Sequence, residues 1–319
     1  MNRMVITGST GFLGSHVLRK MLELDVEILL IVRYNSREKL RAITSGFDRS
    51  KMFVTYWEKN WQYEMRKFKP HVVIHLASIR GEQHYDFSKY SEINVGLTEK
   101  LCQIAEEVSA STFLYCSTVG VHGTIPKKLN ISESSDYNPD SKYHKSKMMA
   151  EKNFISQYTI PNRIIIRPTI IYGPGDNGFI YKMIKLIKLS IFPLVCGKTY
   201  IHLVSVDRVT EIIQKSLFLK GDYILFAVDD KPVMLSELIN KLAKRLHKKP
   251  FFSCINPQIF VVLKKIFKLL GMHDKVISIR LISESWTYQS ENLNVIGKLS
   301  ESDTLIKLDH YLAEGAYNE

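Results

Sequence analysis

The sequence predicts an α/β fold, a doubly wound parallel sheet with a smaller, mostly helical C-terminal lobe. Three observations predict it. Short apolar runs alternate with helical patterns through the first two-thirds of the chain. A glycine-rich turn joins the first such run to the first helical pattern, and after "IYGPGDNG" (171–178) longer basic-apolar helical patterns take over.

The runs "MVIT" (4–7), "VEILLIV" (26–32), "KMFVTYW" (51–57), "HVVIHLA" (71–77), "TFLYCS" (112–117) and "RIIIRP" (163–168) read as strands. They are apolar without strict alternation, which fits strands covered on both faces and separated by helices. Helical patterns are clearest at 12–24, 94–109 and 142–158. The later stretches "FIYKMIKLIKLS", "LSELINKLAKRLHKK" and "PQIFVVLKKIFKLLG" read as helices of a second lobe, with a strand-helix-strand unit around 200–226 returning to the sheet. The expected division is therefore 1–172 with 199–228 for the sheet domain, and 173–198 with 229–319 for the second lobe. No repeat or low-complexity linker interrupts it.

With 319 residues, 45% hydrophobic and 24% charged, the chain has the makings of a large core and not of a disordered segment. Its 44 Lys and Arg against 32 Asp and Glu leave a net charge of +12. That suits an anionic ligand such as a nucleotide, and equally an acidic membrane surface or a nucleic acid, so charge alone does not choose. Cys102, Cys116, Cys196 and Cys254 are scattered with no Cys-x-x-Cys pair. Neither a disulfide framework nor a metal site is expected, and a reduced, cytoplasmic setting is. The opening "MNRMVITGSTGF" has no leader pattern, and no run reaches the roughly 18 apolar residues of a membrane span, so a soluble protein is expected.

"VITGSTGFLGSHVLRKML" sets Gly8, Gly11 and Gly14 at G-x-x-G-x-x-G spacing between strand and helix. Glycine permits the sharp turn and lets peptide N–H groups approach a pyrophosphate at the helix N-terminus, so a dinucleotide-binding turn of the Rossmann kind is expected, the alternative being a purely structural tight turn. At the end of the second strand an acid would accept the adenosine ribose hydroxyls, but "LLIVRYNSR" has Arg33 there, with Arg37 close behind. A guanidinium favours a 2′-phosphate and hence NADP over NAD; alternatively Arg33 stacks on adenine and leaves that choice open.

These residues resemble the extended short-chain dehydrogenase/reductases, the group that includes nucleotide-sugar epimerases and 3β-hydroxysteroid dehydrogenases. The ordered matches are "TGSTGFLG", "VVIHLAS", "NVGLTEKL", "CSTVGVHG", "YHKSK" and "RPTIIYGPGD", over about residues 3 to 180, with a looser match through "IHLVSVDRV". The resemblance implies that Gly8, Thr10, Gly11, Phe12, Leu13 and Gly14 form the cofactor turn. It places Leu76, Ala77, Ser78, Asn94, Ser117, Pro168 and Thr169 along the cofactor's path, and makes Thr118, Tyr143 and Lys147 catalytic. A homodimer through a helix pair is a further expectation of it.

The chemistry suits these residue types. Four residues on a helix turn about 400°, so Tyr143 and Lys147 share a face. A phenol of ordinary pKa about 10 is a poor base at neutral pH, and a nearby ammonium favours its ionised form. The phenol can then exchange a proton with an alcohol while hydride moves, and the Thr118 hydroxyl can steady the substrate oxygen. Tyr143 and Lys147 are also expected to contact the cofactor.

Three departures narrow the reading. The adenine-gripping signature after the third strand is replaced by "VTYWEKN", and "VSVDR" (204–208) puts Ser205 and Arg208 where His and Asp are frequent. No catalytic role attaches to that segment, and Asp207 reads as a helix cap. Thr118-Val119-Gly120 lacks the Asp-Glu pair of sugar dehydratases, which disfavours dehydration.

What remains is an NAD(P)-dependent epimerase or ketoreductase acting on a small molecule, foremost a nucleotide-diphosphate sugar. The alternatives are a 3β-hydroxysteroid-type or other lipophilic-alcohol dehydrogenase and a catalytically silent NAD(P)-binding regulator. Lys182, Lys185 and Lys188 could hold a diphosphate or form a solvated helix face. Ile259, Phe260, Val262, Leu263, Phe267 and Leu270 are expected in the core of the second lobe, with a lipophilic pocket or contact with a membrane surface as the alternatives; membrane contact is disfavoured, and no nucleic acid is expected as partner.

Overall fold

In the computed structural model, which describes residues 2–80, 85–192, 197–248 and 255–317, seven parallel strands form the central sheet. Their C-terminal ends collect the residues of the glycine turn, the "CST" segment and "RPT". The strands are β1 (Arg3–Thr7), β2 (Glu27–Val32), β3 (Met52–Tyr56), β4 (Val72–His75), β5 (Thr112–Cys116), β6 (Asn162–Pro168) and, after three short strands, a late-arriving seventh. The short strands are β7 (Ile170–Tyr172), β8 (Tyr200–Ile201) and β9 (Leu203–Ser205); the seventh sheet strand is β10 (Asp222–Ala227), and β11 (Val233–Met234) follows. The sheet order is β10-β6-β5-β4-β1-β2-β3, while β7 pairs with β9 and β8 with β11 in two-stranded sheets. The order reverses between β1 and β4, and a crevice opens there at the strands' carboxyl ends.

The helices are α1 (Phe12–Leu22), α2 (Arg37–Ile43), α3 (Trp61–Phe68), α4 (Phe87–Tyr90), α5 (Leu97–Glu107), α6 (Lys142–Gln157), α7 (Phe179–Lys188) and α8 (Val206–Ser216). They continue with α9 (Leu235–Arg245), α10 (Pro257–Leu269), α11 (His273–Ser283) and α12 (Thr304–Ala313). A π-helical stretch, Ser91–Gly96, joins α4 to α5, so this helix starts before the expected 94. Alternate strand residues feed two cores. Met4, Ile6, Ile28 and Leu30 pack with Val17, Leu18 and Ile212 of α1 and α8. Val5, Leu29, Ile31 and Val73 pack with Trp61, Leu101 and Phe154 of α3, α5 and α6. A doubly covered sheet needs apolar residues on both faces, which is why the strand sequences lack alternation.

The second lobe has its own core, where Ile180, Met183 and Ile187 of α7 meet Leu238, Ile239 and Leu242 of α9, with Trp286, Leu308 and Tyr311. Two buried carboxylates tie it to the sheet. Asp229 accepts hydrogen bonds from Tyr172 Oη (2.7 Å), Ser302 Oγ (2.6 Å), Thr304 Oγ1 (2.7 Å) and the Ser205 N–H (3.0 Å). Glu133 accepts from Ser290 Oγ (2.5 Å) and from the N–H groups of Phe226 (2.8 Å) and Glu291 (2.9 Å).

Two sequence expectations are corrected here. Asp207 does not cap α8: the Ser205 hydroxyl does, accepting the Arg208 N–H at 3.2 Å, and Asp207 instead takes the Tyr311 hydroxyl at 2.7 Å. The apolar residues of α10 are not all in a core. Phe260, Leu263 and Phe267 pack on Ile279 and Ile282 of α11, whereas Ile259, Val262 and Leu270 face solvent. Among the described residues, one side of the helix alone has a packing partner. Cys102 and Cys116 are free thiols, and Cys196 and Cys254 lie outside the described residues.

Candidate active site

A cavity of about 490 Å³ occupies the crevice between β1 and β4 and runs beneath the second lobe. Gly8, Gly11, Phe12, Leu13 and Gly14 form one wall, and Leu76 and Ser78 after β4 adjoin it. Ser117 and Thr118 after β5, Tyr143 on α6, and Pro168 and Thr169 at the end of β6 complete the sheet side. Thus twelve of the residues expected at the site share one cavity, because they lie at or just after strand ends that open on the same crevice, with Tyr143 added from the first turn of α6.

The glycine turn is shaped by contacts that no side chain would survive. Gly8 has φ +74°, and a Cβ there would lie 2.6 Å from the Ala77 nitrogen. A Cβ on Gly14 would lie 2.0 Å from the Gly8 carbonyl oxygen. Gly11 opens α1 with no side-chain cap and no acid in the first turn, so the helix presents free N–H groups and a positive dipole end to the cavity. Two buried hydroxyls near the wall, Ser117 Oγ and Thr169 Oγ1, have no partner within the protein. Such a cradle and such orphaned polar atoms fit a dinucleotide.

Other expected residues stand off the wall. Thr10 sits half-buried in the turn, and Ala77 lies against Gly8. Asn94 is buried and acts as a brace. Its amide donates to the Ile79 carbonyl (3.0 Å) and to Ser146 Oγ (3.0 Å), its Oδ1 accepts the Ile79 N–H (2.9 Å), and Ser146 in turn donates to the Tyr143 carbonyl (2.7 Å). Arg33 is exposed after β2, outside the cavity. Beside it, the Glu58 carboxylate accepts the Tyr34 N–H at 3.1 and 3.3 Å, an acid that "VTYWEKN" supplies from β3 rather than β2.

Lys147 is 1% exposed and lies behind the wall. Its ammonium donates to the Cys116 carbonyl at 2.5 Å and stands 4.2 Å over the Tyr115 ring. Burial pushes its pKa down to about 8. Burial and the Lys147 charge hold the neighbouring His75 neutral, with a pKa of about 3. The His75 ring accepts from Thr7 Oγ1 (2.7 Å) and donates to Thr98 Oγ1 (3.0 Å), the tautomer set by Thr98 donating to the Asn94 carbonyl (2.8 Å). Thr118 Oγ1 accepts the Gly120 N–H at 3.1 Å, which leaves its own proton to donate. A fully buried ion pair fixes α6 against β6: Arg167 Nη2 donates to Glu151 Oε2 at 2.7 Å, with side chains 1% and 0% exposed.

Sequence reading missed the far wall, where Phe179, Ile277, Leu281, Trp286 and Tyr288 give an apolar and aromatic surface from the second lobe. It also missed Asp176, the one carboxylate on the wall among the described residues; burial raises its pKa. Lys182, Lys185 and Lys188 do not line the cavity: Lys185 covers the Tyr181 ring and Lys188 donates to the Tyr317 carbonyl. A second cleft of about 480 Å³ lies between α1, α8 and residues 300–302. Most of its cations are already paired, Lys20 with Glu23, Lys215 with Glu211, Arg208 with Asp230 and Lys307 with Asp207.

Comparison with known proteins agrees with this geometry. Residues 4–211 match the NAD dependent epimerase/dehydratase family, so the chain belongs to that family, an enzyme of the extended short-chain dehydrogenase/reductase type. The N-acetyl-alpha-D-glucosaminyl-diphospho-ditrans,octacis-undecaprenol 4-epimerase of Escherichia coli O157:H7 is 28% identical over 268 residues, 78% of this chain and 73% of that one. The sterol-4-alpha-carboxylate 3-dehydrogenase erg26, decarboxylating, of Schizosaccharomyces pombe is 26% identical over 227 residues, 65% of each. The solved structure of UDP-glucuronic acid 4-epimerase from Bacillus cereus in complex with NAD shares the fold, with a TM-score of 0.75 at 17% identity, covering 99% of this chain and 97% of the other. Among the described residues no helix is long and apolar enough to cross a membrane.

Proposed function

We propose that this enzyme interconverts a secondary alcohol and a ketone on a nucleotide-diphosphate sugar, as an epimerase or ketoreductase, with Tyr143 as the acid/base. The observation that carries the proposal is the single cavity shared by the glycine turn, Thr118, Tyr143 and Thr169. When bound there, a nicotinamide dinucleotide supplies the hydride acceptor and donor. The turn at Gly8, Gly11 and Gly14 would hold its pyrophosphate on the α1 N–H groups. Tyr143 takes the alcohol proton or returns it, Lys147 one turn along α6 favours the phenolate, and Thr118 donates to the substrate oxygen. Asp176 is the lone wall carboxylate among the described residues, and Thr118-Val119-Gly120 lacks the Asp-Glu pair of sugar dehydratases, which disfavours dehydration.

Arg33 favours NADP for this role, while Glu58 beside Tyr34 favours the unphosphorylated ribose of NAD; affinities for the two forms decide between them. A second reading, a lipid-borne alcohol as substrate, draws on the apolar far wall of Ile277, Leu281 and Trp286. The two relatives, an undecaprenol-linked sugar epimerase and a sterol dehydrogenase, point the same way. Thr118, Tyr143 and Lys147 are all present, which speaks against a silent regulator. The deciding experiment supplies uridine-diphosphate sugars, their 4-keto forms and hydroxysteroids in turn, following reduced-cofactor absorbance and products. Redox-neutral inversion of a sugar means epimerase, and net cofactor turnover on a keto sugar means ketoreductase. Turnover of hydroxysteroids alone overturns the sugar assignment.

A further inference from the structure

Among the described residues, none covers about half of the apolar surface of α10. Ile259, Val262, Ile266, Leu269 and Leu270 are 51%, 55%, 44%, 87% and 64% exposed. At 3.6 residues per turn these five side chains fall within an arc of about 100°, next to the arc that packs on α11. They form one continuous stripe, and an apolar patch of that kind on a folded surface marks a contact site.

The polar part of the helix says what covers the stripe. The helix carries Lys264, Lys265 and Lys268 and no acidic residue. Lys264 is turned back to Glu284 at 2.7 Å, whereas Lys265 and Lys268 stay exposed to one side of the stripe, with the exposed Val261 between them. Residues 244–275 hold eight Lys and Arg and a single Asp, over half of the chain's net charge in a tenth of its length. A second copy of the chain docking stripe to stripe would bring these lysines against their own kind. An anionic bilayer surface offers acyl chains to the stripe and phosphates to lysines that extend up their own stems.

We propose that α10 seats the protein on an anionic phospholipid membrane, lying in the interface with the stripe dipping into the acyl boundary and Lys265 and Lys268 at the headgroups. The helix is 13 residues long, too short to span a bilayer and long enough to lie on one. This placement takes the reading of α10 that the sequence disfavoured in place of burial in a core, and it does not depend on the substrate. Its consequence for the site is direct. Ile279 and Ile282 of α11 touch α10, while Ile277 and Leu281 of the same helix line the cavity, so one helix separates the membrane from the far wall.

The test is co-sedimentation of the full chain with vesicles of phosphatidylcholine containing phosphatidylglycerol, against vesicles of phosphatidylcholine alone. Binding is expected to the anionic vesicles and to weaken with added salt. Lys265→Gln and Lys268→Gln should each weaken it roughly fivefold, and Ile266→Ser with Leu269→Ser should abolish it while thermal melting stays unchanged, since all four side chains are exposed. Equal binding to both vesicle types, or full binding by the Ile266→Ser/Leu269→Ser variant, overturns the proposal. So does a dimer in sedimentation equilibrium that this variant converts to monomer, because a second copy then covers the stripe.

Discussion

Replacing Lys147 with Met should separate catalysis from stability. The ammonium is 1% exposed and its pKa falls from 10.5 to about 8. Between those values the unfolded chain holds a proton that the folded chain gives up, so folding stability rises with pH across that window. At about 1.4 kcal/mol per pH unit the whole rise amounts to about 3 kcal/mol. Below pH about 8 both states are protonated and the full cost of burying the charge is present. Methionine removes that cost but leaves the Cys116 carbonyl without its donor, a loss of about 1–3 kcal/mol. The variant should therefore match or modestly exceed wild type near neutral pH and fall below it above the window. The swing between them, about 3 kcal/mol, carries the test. Urea unfolding of both proteins at steps across the window measures it, and turnover should be lost throughout. A difference in stability that stays flat with pH would refute the claim that the charge is held desolvated behind the active-site wall.

Gly14→Ala forces a methyl group toward the Gly8 carbonyl, so dinucleotide affinity should fall at least about tenfold by fluorescence titration, and unchanged affinity would detach the turn from the cofactor. Arg167→Met leaves Glu151 buried and unpaired and should lower unfolding free energy by about 3–5 kcal/mol, with a much smaller loss when Glu151→Leu is added. A single-variant loss within error of zero contradicts the pairing. Arg33→Ala should cost roughly fivefold in NADPH affinity and spare NADH, the scale of an exposed ion pair; an equal effect on both removes Arg33 from cofactor choice.

Much of this site could be read in the sequence, and for a physical reason. Each of the twelve wall residues on the sheet side sits in a short segment at the carboxyl end of a strand or the start of the next helix. Parallel central strands are apolar on both faces, so their ends are easy to find, and topology gathers those ends into one crevice. What the sequence hid depends on contacts far along the chain. Ile277, Leu281, Trp286 and Tyr288 reach the cavity by the packing of the second lobe, and no local pattern marks them. Arg167, Glu151 and Asp229 are charged residues that read as surface, yet each is almost wholly buried. Helical periodicity in α10 correctly announces an amphipathic helix but carries no information on what covers its apolar side. Phe260 found α11, while Leu269 found only solvent.

The central claim is that the phenol of Tyr143 exchanges the proton in a cavity where the glycine turn holds the dinucleotide. Tyr143→Phe removes only that hydroxyl from a half-buried residue on the first turn of α6. Turnover of whichever substrate the screen identifies should fall by about 10²–10⁴-fold, with dinucleotide affinity kept within about twofold. Turnover retained near the wild-type level would contradict the account.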